Sequence, residues 1–366
     1  MRSRGYSLRA AICAGLALAA GGLISSAALS QDSGGDIPLD TYARAGTLVS
    51  APGGRKLNIR CVGAGSPVVV LTAGGGDQSL TWRSLQSRLA EGGTVCAWDR
   101  AGFGFSDPSP FPQDVDHRTD DLERVLSGAG LKPPFILVGH SLGSFETLMY
   151  AFRHRARVAG VVLVDPSAPD QDVRLKRAAP FFYKLIDGFQ QGAMAGLQAC
   201  IDGAAEQERV SNPDCVAVPP KEYPIELREV MQQRDGLIAA KRSQLSLFQS
   251  MFSGVDSRQL RAAWRNLGDI PVTVLSAGLP PPIPLEGEAK EDVPLMQAEW
   301  WKMHDEIAQV SSRGTRRTVA DATHYIYLDQ PGIVLDAIDT MRAGAAGAVP
   351  REVRPKGKTG PQRRDR

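Results

Sequence analysis

The sequence predicts an α/β fold, a mostly parallel central sheet with helices on both faces and an inserted helical cap. Three observations predict it. Short apolar runs end in Gly, Asp or Ser, helical stretches lie between these runs, and one long segment holds helices without a strand. Unbroken apolar strands are typical of a parallel sheet that is covered on both faces. In such a sheet, functional residues gather at the carboxyl ends of the strands.

Six apolar, β-branched runs are the predicted strands of this sheet. They are residues 68–72, 94–98, 135–138, 158–164, 271–275 and 315–320. The segment without a strand covers 168–265 and is interpreted as the cap, with helices around 174–189, 225–240 and 243–252. The cap separates two parts of the core, 31–167 and 266–345. A Pro- and acid-rich loop at 279–295 precedes a further helix.

The first 30 residues have the layout of a secretory signal peptide. Arg2, Arg4 and Arg9 precede an apolar run from Ala10 to Leu29, and small residues follow. A basic start, an apolar centre and a small-residue cleavage site are the three parts of such a peptide. Export to the periplasm or the extracellular space is therefore expected. The alternative is an uncleaved membrane anchor, because the apolar run approaches the ~20 residues that span a bilayer.

The net charge is small because unlike segments cancel. The 366 residues include 42 basic and 40 acidic side chains, which gives a formal charge of +2. The first 30 residues carry +3, residues 350–366 carry +5, and the body between them carries −6. An acidic body gives no reason to expect a nucleic acid as partner. Residues 346–366 are predicted to be a disordered basic tail, either solvated or in weak contact with an anionic envelope or membrane surface.

Export would place the cysteines in an oxidising compartment, where disulfides form. Removal of Cys13 with the signal peptide leaves four, which are Cys61, Cys96, Cys200 and Cys215. The last two are close in sequence and lie in one segment, whereas the first two each lie in a strand-like run. We therefore expect the pairs 200–215 and 61–96. The alternative is that the four cysteines are buried free thiols. Zinc binding is not indicated, because no Cys/His cluster in the sequence has the spacing of zinc ligands.

The segment Gly139-His140-Ser141-Leu142-Gly143 fits the pattern G-x-S-x-G. A predicted strand ends directly before it and a helical stretch follows, which is the context that a nucleophile elbow requires. The sharp turn exposes the serine hydroxyl, and the flanking glycines remove Cβ atoms that would clash. Ser141 is therefore the predicted nucleophile, and the alternative is a serine that caps the helix.

Two further segments complete a family pattern. Residues 98–107, Trp-Asp-Arg-Ala-Gly-Phe-Gly-Phe-Ser-Asp, look like a D-R-x-G-x-G-x-S segment, and residues 324–331 look like a catalytic-histidine segment before a last helix. With the elbow, these motifs make the chain resemble the α/β-hydrolase superfamily in its capped, serine-nucleophile, esterase- and lipase-like form, from about residue 68 to 338. The resemblance implies a Ser-His-acid triad and implies neither a metal nor an organic cofactor.

A serine hydroxyl needs a neighbouring base, and histidine is the usual one. His324 follows a predicted strand near the end of the chain and completes the order Ser, acid, His of the resembled fold. His324 is therefore the predicted base. His140 is expected to pack beside the serine. The other three histidines are His117, His154 and His304.

The acid of the triad is open between two positions. Many members of the resembled family carry it after the strand that corresponds to 271–275, where this chain has Ser276-Ala277-Gly278. Some members carry it after the preceding strand, where this chain has Asp165. Asp165 is the predicted acid, and its other interpretation is a turn residue before a proline. Glu286 and Glu288, in the loop that follows, are the alternative acids.

Two N–H donors must hold an oxyanion during acyl transfer. Leu142 supplies one of them in the elbow. The resemblance implies that the second lies in the loop after strand 68–72, where this chain has Ala-Gly-Gly-Gly-Asp at 73–77. Gly75 is the predicted donor, and Gly76 is the next candidate. A phosphate cradle is the alternative for these glycines, but no Lys-Ser/Thr pair follows them.

The predicted reaction is acyl transfer to water, with a small-molecule ester as the default substrate. Ser141 attacks a carbonyl, His324 moves the proton and Asp165 orients the histidine. Amides, thioesters and lactones are alternative substrates. An apolar group would suit the cleft if the larger cap side chains line it, namely Phe181, Phe182, Tyr183, Phe248, Met251 and Phe252. Two other functions stay open, a non-catalytic ligand-binding protein on the same scaffold and a perhydrolase- or haloperoxidase-like activity.

Overall fold

A computed structural model of the chain describes residues 35–204, 207–281 and 285–346. The predicted signal peptide lies outside these residues, and so does the predicted basic tail apart from Ala346. Eight strands form one sheet. They are Thr47–Ser50 (β1), Lys56–Val62 (β2), Val68–Thr72 (β3), Val95–Trp98 (β4), Phe135–His140 (β5), Val158–Val164 (β6), Val272–Ala277 (β7) and Gly314–Val319 (β8).

The strand order is β1-β2-β4-β3-β5-β6-β7-β8. The first two pairings are antiparallel, and the other five are parallel. The carboxyl ends of β3 to β8 therefore meet at one edge of the sheet. This arrangement confirms the predicted α/β fold with a mostly parallel sheet.

Helices cover both faces of the sheet. They are Arg83–Leu89 (α1), Val115–Gly128 (α2), Gly143–Arg153 (α3), Gln171–Ala178 (α4), Pro180–Asp202 (α5), Ile225–Asp235 (α6), Ile238–Phe252 (α7), Val255–Ala263 (α8), Gly287–Glu291 (α9), Val293–Ala308 (α10), Ile326–Asp329 (α11) and Pro331–Ala346 (α12). Five of them, α4 to α8, form a helical insertion between β6 and β7. Within the three described ranges, none of the helices combines the length and the apolar character needed to cross a membrane.

Alternate side chains of each central strand enter two separate cores. In β3, Val68 and Val70 join the core beneath α2, α3 and α10, whereas Val69 and Leu71 join the core beneath α1 and α12. β5 and β6 follow the same alternation. Both faces are buried, and this is why these strands are apolar up to their carboxyl ends, where β3 has Thr72 and β5 has His140.

Several elements differ from the sequence-based expectation. The predicted helix 174–189 is broken, because α4 ends at Ala178 and α5 begins at Pro180. Proline has no N–H to donate into a continuing helix but fits the first turn of a new one. Strand β1, at the edge of the sheet, and strand β2, between β1 and β4, were not among the six predicted strands. Polar residues interrupt the apolar run that marks the central strands, at Thr47 and Ser50 in β1 and at Lys56, Asn58 and Arg60 in β2.

The structure contains both disulfide pairs that the sequence analysis favours. Cys61 and Cys96 face each other in the register of β2 and β4, with Cα atoms 4.0 Å apart. Cys200, near the end of α5, is bonded to Cys215 in a 3₁₀ turn. Disulfides form and persist mainly in oxidising compartments, so the two bonds are consistent with an exported protein.

Replacement of Cys61 and Cys96 together by alanine should lower the free energy of unfolding by about 4 kcal/mol, because the bond closes a loop in the unfolded chain. The loop spans 35 residues. Urea denaturation followed by circular dichroism measures the change. As a control, reductant added to a Cys200→Ala/Cys215→Ala variant, which retains only the 61–96 bond, should produce a drop of similar size. An unchanged urea midpoint in the Cys61→Ala/Cys96→Ala variant would contradict the expectation.

Candidate active site

Ser141 lies in a sharp turn between β5 and α3. Its φ of 50° is in the left-handed region, which costs a non-glycine residue of order 1–3 kcal/mol. The glycines on either side are required by close packing. A Cβ on Gly139 would lie 2.5 Å from Thr147 Oγ1, and one on Gly143 would lie 2.5 Å from the carbonyl oxygen of Thr72. The turn therefore packs Gly143 against the end of β3, and Ser141 remains partly exposed.

Asp165 follows β6, the strand next to β5 in the sheet, and it also has a left-handed φ of 40°. Its Oδ2 accepts a hydrogen bond of 2.6 Å from Nδ1 of His324. Its Oδ1 accepts two more, from the backbone N–H of Ala277 at 2.9 Å and from Nε1–H of Trp300 at 3.1 Å. Three donors on separate elements thus hold one carboxylate in a fixed orientation.

Asp165 is ionised at neutral pH. Burial on its own would raise the pKa of this carboxyl, but the hydrogen bonds from His324 and from the N–H of Ala277 outweigh burial and hold the pKa below its usual range. An ionised carboxylate only accepts hydrogen bonds. The proton in the Asp165–His324 bond therefore belongs to Nδ1 of the imidazole, and Nε2 of a neutral ring is left with its lone pair free to accept a proton.

The structure brings Asp165 and His324 together and keeps the alternative acids apart from them. Glu286 precedes the first residue of α9, Glu288 lies within α9, and both are exposed. In the described part of the chain, Asp165 is the carboxylate that is hydrogen-bonded to His324.

His324 lies in the loop between β8 and α11, with its side chain 31% exposed. Nε2–H of His140 donates to the backbone carbonyl of His324 over 2.9 Å, and the two rings lie 4.7 Å apart. Burial lowers the pKa of His140 to about 3, so this ring is neutral. Because His140 directly precedes Ser141, its bond ties the elbow to the loop that carries His324.

His117 and His154 lie away from this cluster. His117 pairs with Asp114 at the start of α2, and His154 pairs with Glu123 of the same helix. Among the residues that the structure describes, no group of three or more His, Cys, Asp or Glu side chains is arranged to hold a metal ion. His324 is therefore the histidine that the fold presents next to an acid at the carboxyl edge of the sheet.

Gly75 lies in the loop after β3, opposite Leu142 of the elbow. A Cβ on Gly75 would lie 3.7 Å from the Cβ of Leu142 and 3.5 Å from Cε1 of Phe248. The two predicted N–H donors thus belong to neighbouring backbone segments. Gly76, the other candidate donor, has a φ of 84°, a conformation that glycine adopts without strain.

An apolar cluster, built mainly by the helical insertion, covers Gly75 and Leu142. Leu142 packs with Phe103, Leu247 and Phe248, and the half-buried members of the cluster are Met194, Leu197, Met251 and Phe252. Three of the six cap side chains considered above belong to it, namely Phe248, Met251 and Phe252. Phe182 and Tyr183 pack against the main core instead, and Phe181 is 45% exposed.

His304 is a buried neighbour of Asp165. The sequence alone assigned His304 no role. Its Nε2–H donates to the carbonyl of Pro166 at 2.8 Å, and its Nδ1 accepts from the hydroxyl of Ser276 at 2.8 Å. Burial lowers the pKa of His304 to about 4, so the ring is neutral. A partial signal was present in the sequence, because Trp300 and His304 are four residues apart on one face of a helix, but this spacing does not show the contact with Pro166.

Comparison with known proteins agrees with this geometry. A model of the alpha/beta hydrolase family matches residues 69–337. The protein YqjL of Bacillus subtilis (strain 168) is 25% identical over 289 residues, which make up 79% of this chain and 88% of YqjL.

Two solved structures share the fold. A thermophilic esterase from Thermogutta terrifontis superposes with a TM-score of 0.52 at 18% identity, over 82% of this chain and 98% of the esterase. The haloalkane dehalogenase DatA from Agrobacterium tumefaciens C58 superposes with a TM-score of 0.58 at 17% identity, over 83% of this chain and 99% of that enzyme. At these identities the likeness is one of fold.

The neutral, buried His304 should make the stability of the chain depend on pH. In the unfolded chain a histidine takes up a proton near pH 6.5, whereas in the folded chain His304 does so only near pH 4. Between these values the unfolded state binds more protons, so stability falls as the pH falls. The free energy of unfolding should therefore drop, relative to that of a His304→Gln variant, by about 1 kcal/mol per pH unit from pH 6.5 to 4.

Urea denaturation of both proteins at half-unit steps from pH 4 to 8 measures this difference. Other titrating groups are common to the two chains, so their contributions cancel. The two curves should run parallel above pH 7. Parallel curves down to pH 4 would contradict the assignment of a neutral, buried His304.

Proposed function

The chain belongs to the alpha/beta hydrolase family, and we propose that it is an exported serine hydrolase that cleaves carboxylic esters through an acyl-enzyme. One observation carries the proposal. The imidazole of His324 is hydrogen-bonded at 2.6 Å to the buried carboxylate of Asp165, beside the strained turn that presents Ser141. Family membership supports hydrolase activity, and this pairing supports the serine mechanism in particular.

In the proposed first step, Ser141 Oγ attacks the carbonyl carbon of the ester and its proton passes to Nε2 of His324. A new C–O bond forms, and the carbonyl electron pair moves onto the oxygen. His324 becomes an imidazolium, which the ionised Asp165 stabilises through the Nδ1–H bond. Trp300 and the N–H of Ala277 hold the carboxylate so that it does not have to reorient during the transfer.

The tetrahedral oxyanion would be held by the N–H groups of Gly75 and Leu142. Backbone donors fixed by the fold stabilise this charge without reorganisation, which is the main source of acceleration in such sites. Ser141 also lies at the N-terminus of α3, an 11-residue helix whose dipole favours negative charge there. Collapse of the intermediate returns the proton from His324 to the leaving alcohol, and water then cleaves the acyl-enzyme by the same steps.

Two features support the finer parts of the proposal. The first supports export, because the disulfides 61–96 and 200–215 suit an oxidising compartment, as does the signal-peptide layout of residues 1–30.

The second supports an apolar substrate. Phe248 lies beside Gly75, within an apolar cluster that includes Met251 and Phe252. An acyl group bound next to the oxyanion donors would meet this cluster, so an apolar acyl chain is the proposed substrate feature.

Substitution of Ser141 by alanine should abolish hydrolysis of a chromogenic short-chain ester, lowering kcat at least about 10⁴-fold because no other group can accept the acyl chain. Asp165→Asn should lower kcat about 10³- to 10⁴-fold, because the amide favours the wrong imidazole tautomer. Glu286→Gln and Glu288→Gln are the matched controls and should retain wild-type kcat.

The same assay separates this function from a ligand-binding role. Equal, background-level turnover by the wild type and Ser141→Ala would favour a binding protein. Full activity in Asp165→Asn would remove Asp165 from the mechanism.

Phe248 should set the preference for acyl length. In Phe248→Ala the space beside Gly75 widens, so the ratio of kcat/KM for an octanoate ester to that for an acetate ester should rise about 10-fold. Phe181→Ala is the control, because Phe181 is exposed and lies outside the cluster. A series of nitrophenyl esters from C2 to C10 measures both. An unchanged ratio in Phe248→Ala would show that the acyl chain binds elsewhere.

A further inference from the structure

A buried row of charged side chains runs behind the loop that carries Gly75. Arg100 Nε lies 2.5 Å from Glu146 Oε1, Arg118 Nε lies 2.8 Å from the same oxygen, and Arg118 Nη2 lies 2.8 Å from Asp256 Oδ2. All four side chains are at most 3% exposed. Burial of ions is costly unless each is paired and hydrogen-bonded, so an array of this size needs an explanation.

The remaining donors of Arg100 reach the glycine loop. Nη2–H donates to the carbonyl of Ala73 over 2.6 Å, and Nη1–H donates to the carbonyl of Gly74 over 2.9 Å. The Gly74 carbonyl and the Gly75 N–H belong to the same peptide unit. A trans peptide is planar, and its C=O and N–H point in opposite directions. A guanidinium that holds the C=O of Gly74 from behind therefore also fixes the direction of the Gly75 N–H.

We propose that Arg100 is a positioning residue of the oxyanion hole, which it holds through the Gly74–Gly75 peptide. The inference rests on the proposed function and deepens it. Arg100 touches neither the substrate nor the reacting atoms. It aims the Gly75 donor before substrate arrives, and it polarises the peptide, since a charge-assisted bond to the C=O strengthens the N–H at the other end as a donor.

The geometry calls for arginine in particular. One planar guanidinium serves a carboxylate and two carbonyls at once, through donors in a rigid fork. Glu146 anchors it. Burial would raise the pKa of that carboxyl, but the charges and hydrogen bonds of Arg100 and Arg118 keep it below its usual range, so the anchor is ionised. Glu146 belongs to α3, the helix that begins just after Leu142, and the same array thus links both proposed donors.

The chain offers a matched control for this role. Arg118 shares Oε1 of Glu146 with Arg100 and is as deeply buried. Its other hydrogen bonds go to Asp256 and to the carbonyl of Gln113, away from the glycine loop. Loss of Arg118 disturbs the same buried array and the stability of the fold, but leaves the bonds from Arg100 to Ala73 and Gly74 in place.

The experiment compares Arg100→Gln, Arg100→Lys and Arg118→Gln with the wild type. Steady-state hydrolysis of a short-chain ester gives kcat and KM, and an alkyl boronic acid of matching length gives Ki. Boron accepts an electron pair from Ser141 Oγ as the proton passes to His324, and the tetrahedral adduct places an oxygen in the oxyanion hole. A partly unfolded enzyme loses apparent kcat but keeps Ki, so Ki separates positioning from stability.

Arg100→Gln should lower kcat about 10- to 100-fold, with KM within about threefold, and should raise Ki by a similar factor to the fall in kcat/KM. Arg100→Lys keeps a charge opposite Glu146, so its kcat and Ki should lie between those of the wild type and of Arg100→Gln. This variant preserves the test if Arg100→Gln does not fold. Arg118→Gln should lower stability and keep the wild-type kcat and Ki. Hydrogen exchange of peptides over residues 73–82 should rise in the Arg100 variants alone.

Ser141-dependent turnover with unchanged kcat and Ki in the Arg100 variants would overturn this inference alone. So would equal losses of kcat and Ki in Arg118→Gln, which would assign the effect to the array as a whole. Absence of Ser141-dependent turnover in the wild type would instead overturn the proposed function, and the oxyanion role of Arg100 with it.

Discussion

The site depends on two strained turns at the ends of neighbouring parallel strands. Ser141 after β5 and Asp165 after β6 both have a left-handed φ, and the strand register pairs His140 with Val164, the residues just before them. Backbone strain of this kind persists only where the surroundings determine it. Here the N–H of Ser141 donates to the carbonyl of Val164, and the N–H of Asp165 donates to that of Leu275. The backbone of the sheet therefore sets the spacing of the proposed nucleophile and the proposed acid, independently of side-chain contacts.

Placement of the proposed acid after β6 changes what the end of β7 has to supply. This chain has Ser276 and no carboxylate at the end of β7, and the hydroxyl of Ser276 is bonded to the buried His304. Ala277 next to it gives a backbone N–H to Asp165. The end of β7 has thus become a donor surface for a carboxylate on the adjacent strand. His304 completes it by holding the carbonyl of Pro166, the residue directly after the acid.

Much of the sheet and part of the candidate site can be predicted from local sequence. The choice of the acid and the long-range contacts of the site cannot. Central strands such as β3 and the elbow at 139–143 are visible because burial on both faces and a tight turn each constrain consecutive residues. The choice between Asp165 and Glu286 could not be settled in this way, because it depends on which carboxylate the fold brings to His324. The bonds from His304 to Pro166 and from Arg100 to Gly74 join residues 138 and 26 positions apart, so no local pattern announces them.

The groups around Asp165 and the charged row behind Gly75 differ in charge, and the difference fits what each has to do in the proposed reaction. Neutral donors from Trp300, Ala277 and the His304 region surround Asp165, so its negative charge is left uncompensated until His324 becomes an imidazolium. In a buried site that attraction is stronger than in water. Behind the oxyanion loop a cation is present, but Glu146 pairs with it and a peptide separates it from the oxyanion. The peptide delivers an oriented dipole rather than a full charge, which favours the transition-state oxyanion without trapping an anionic carboxylate product as tightly as a bare guanidinium would.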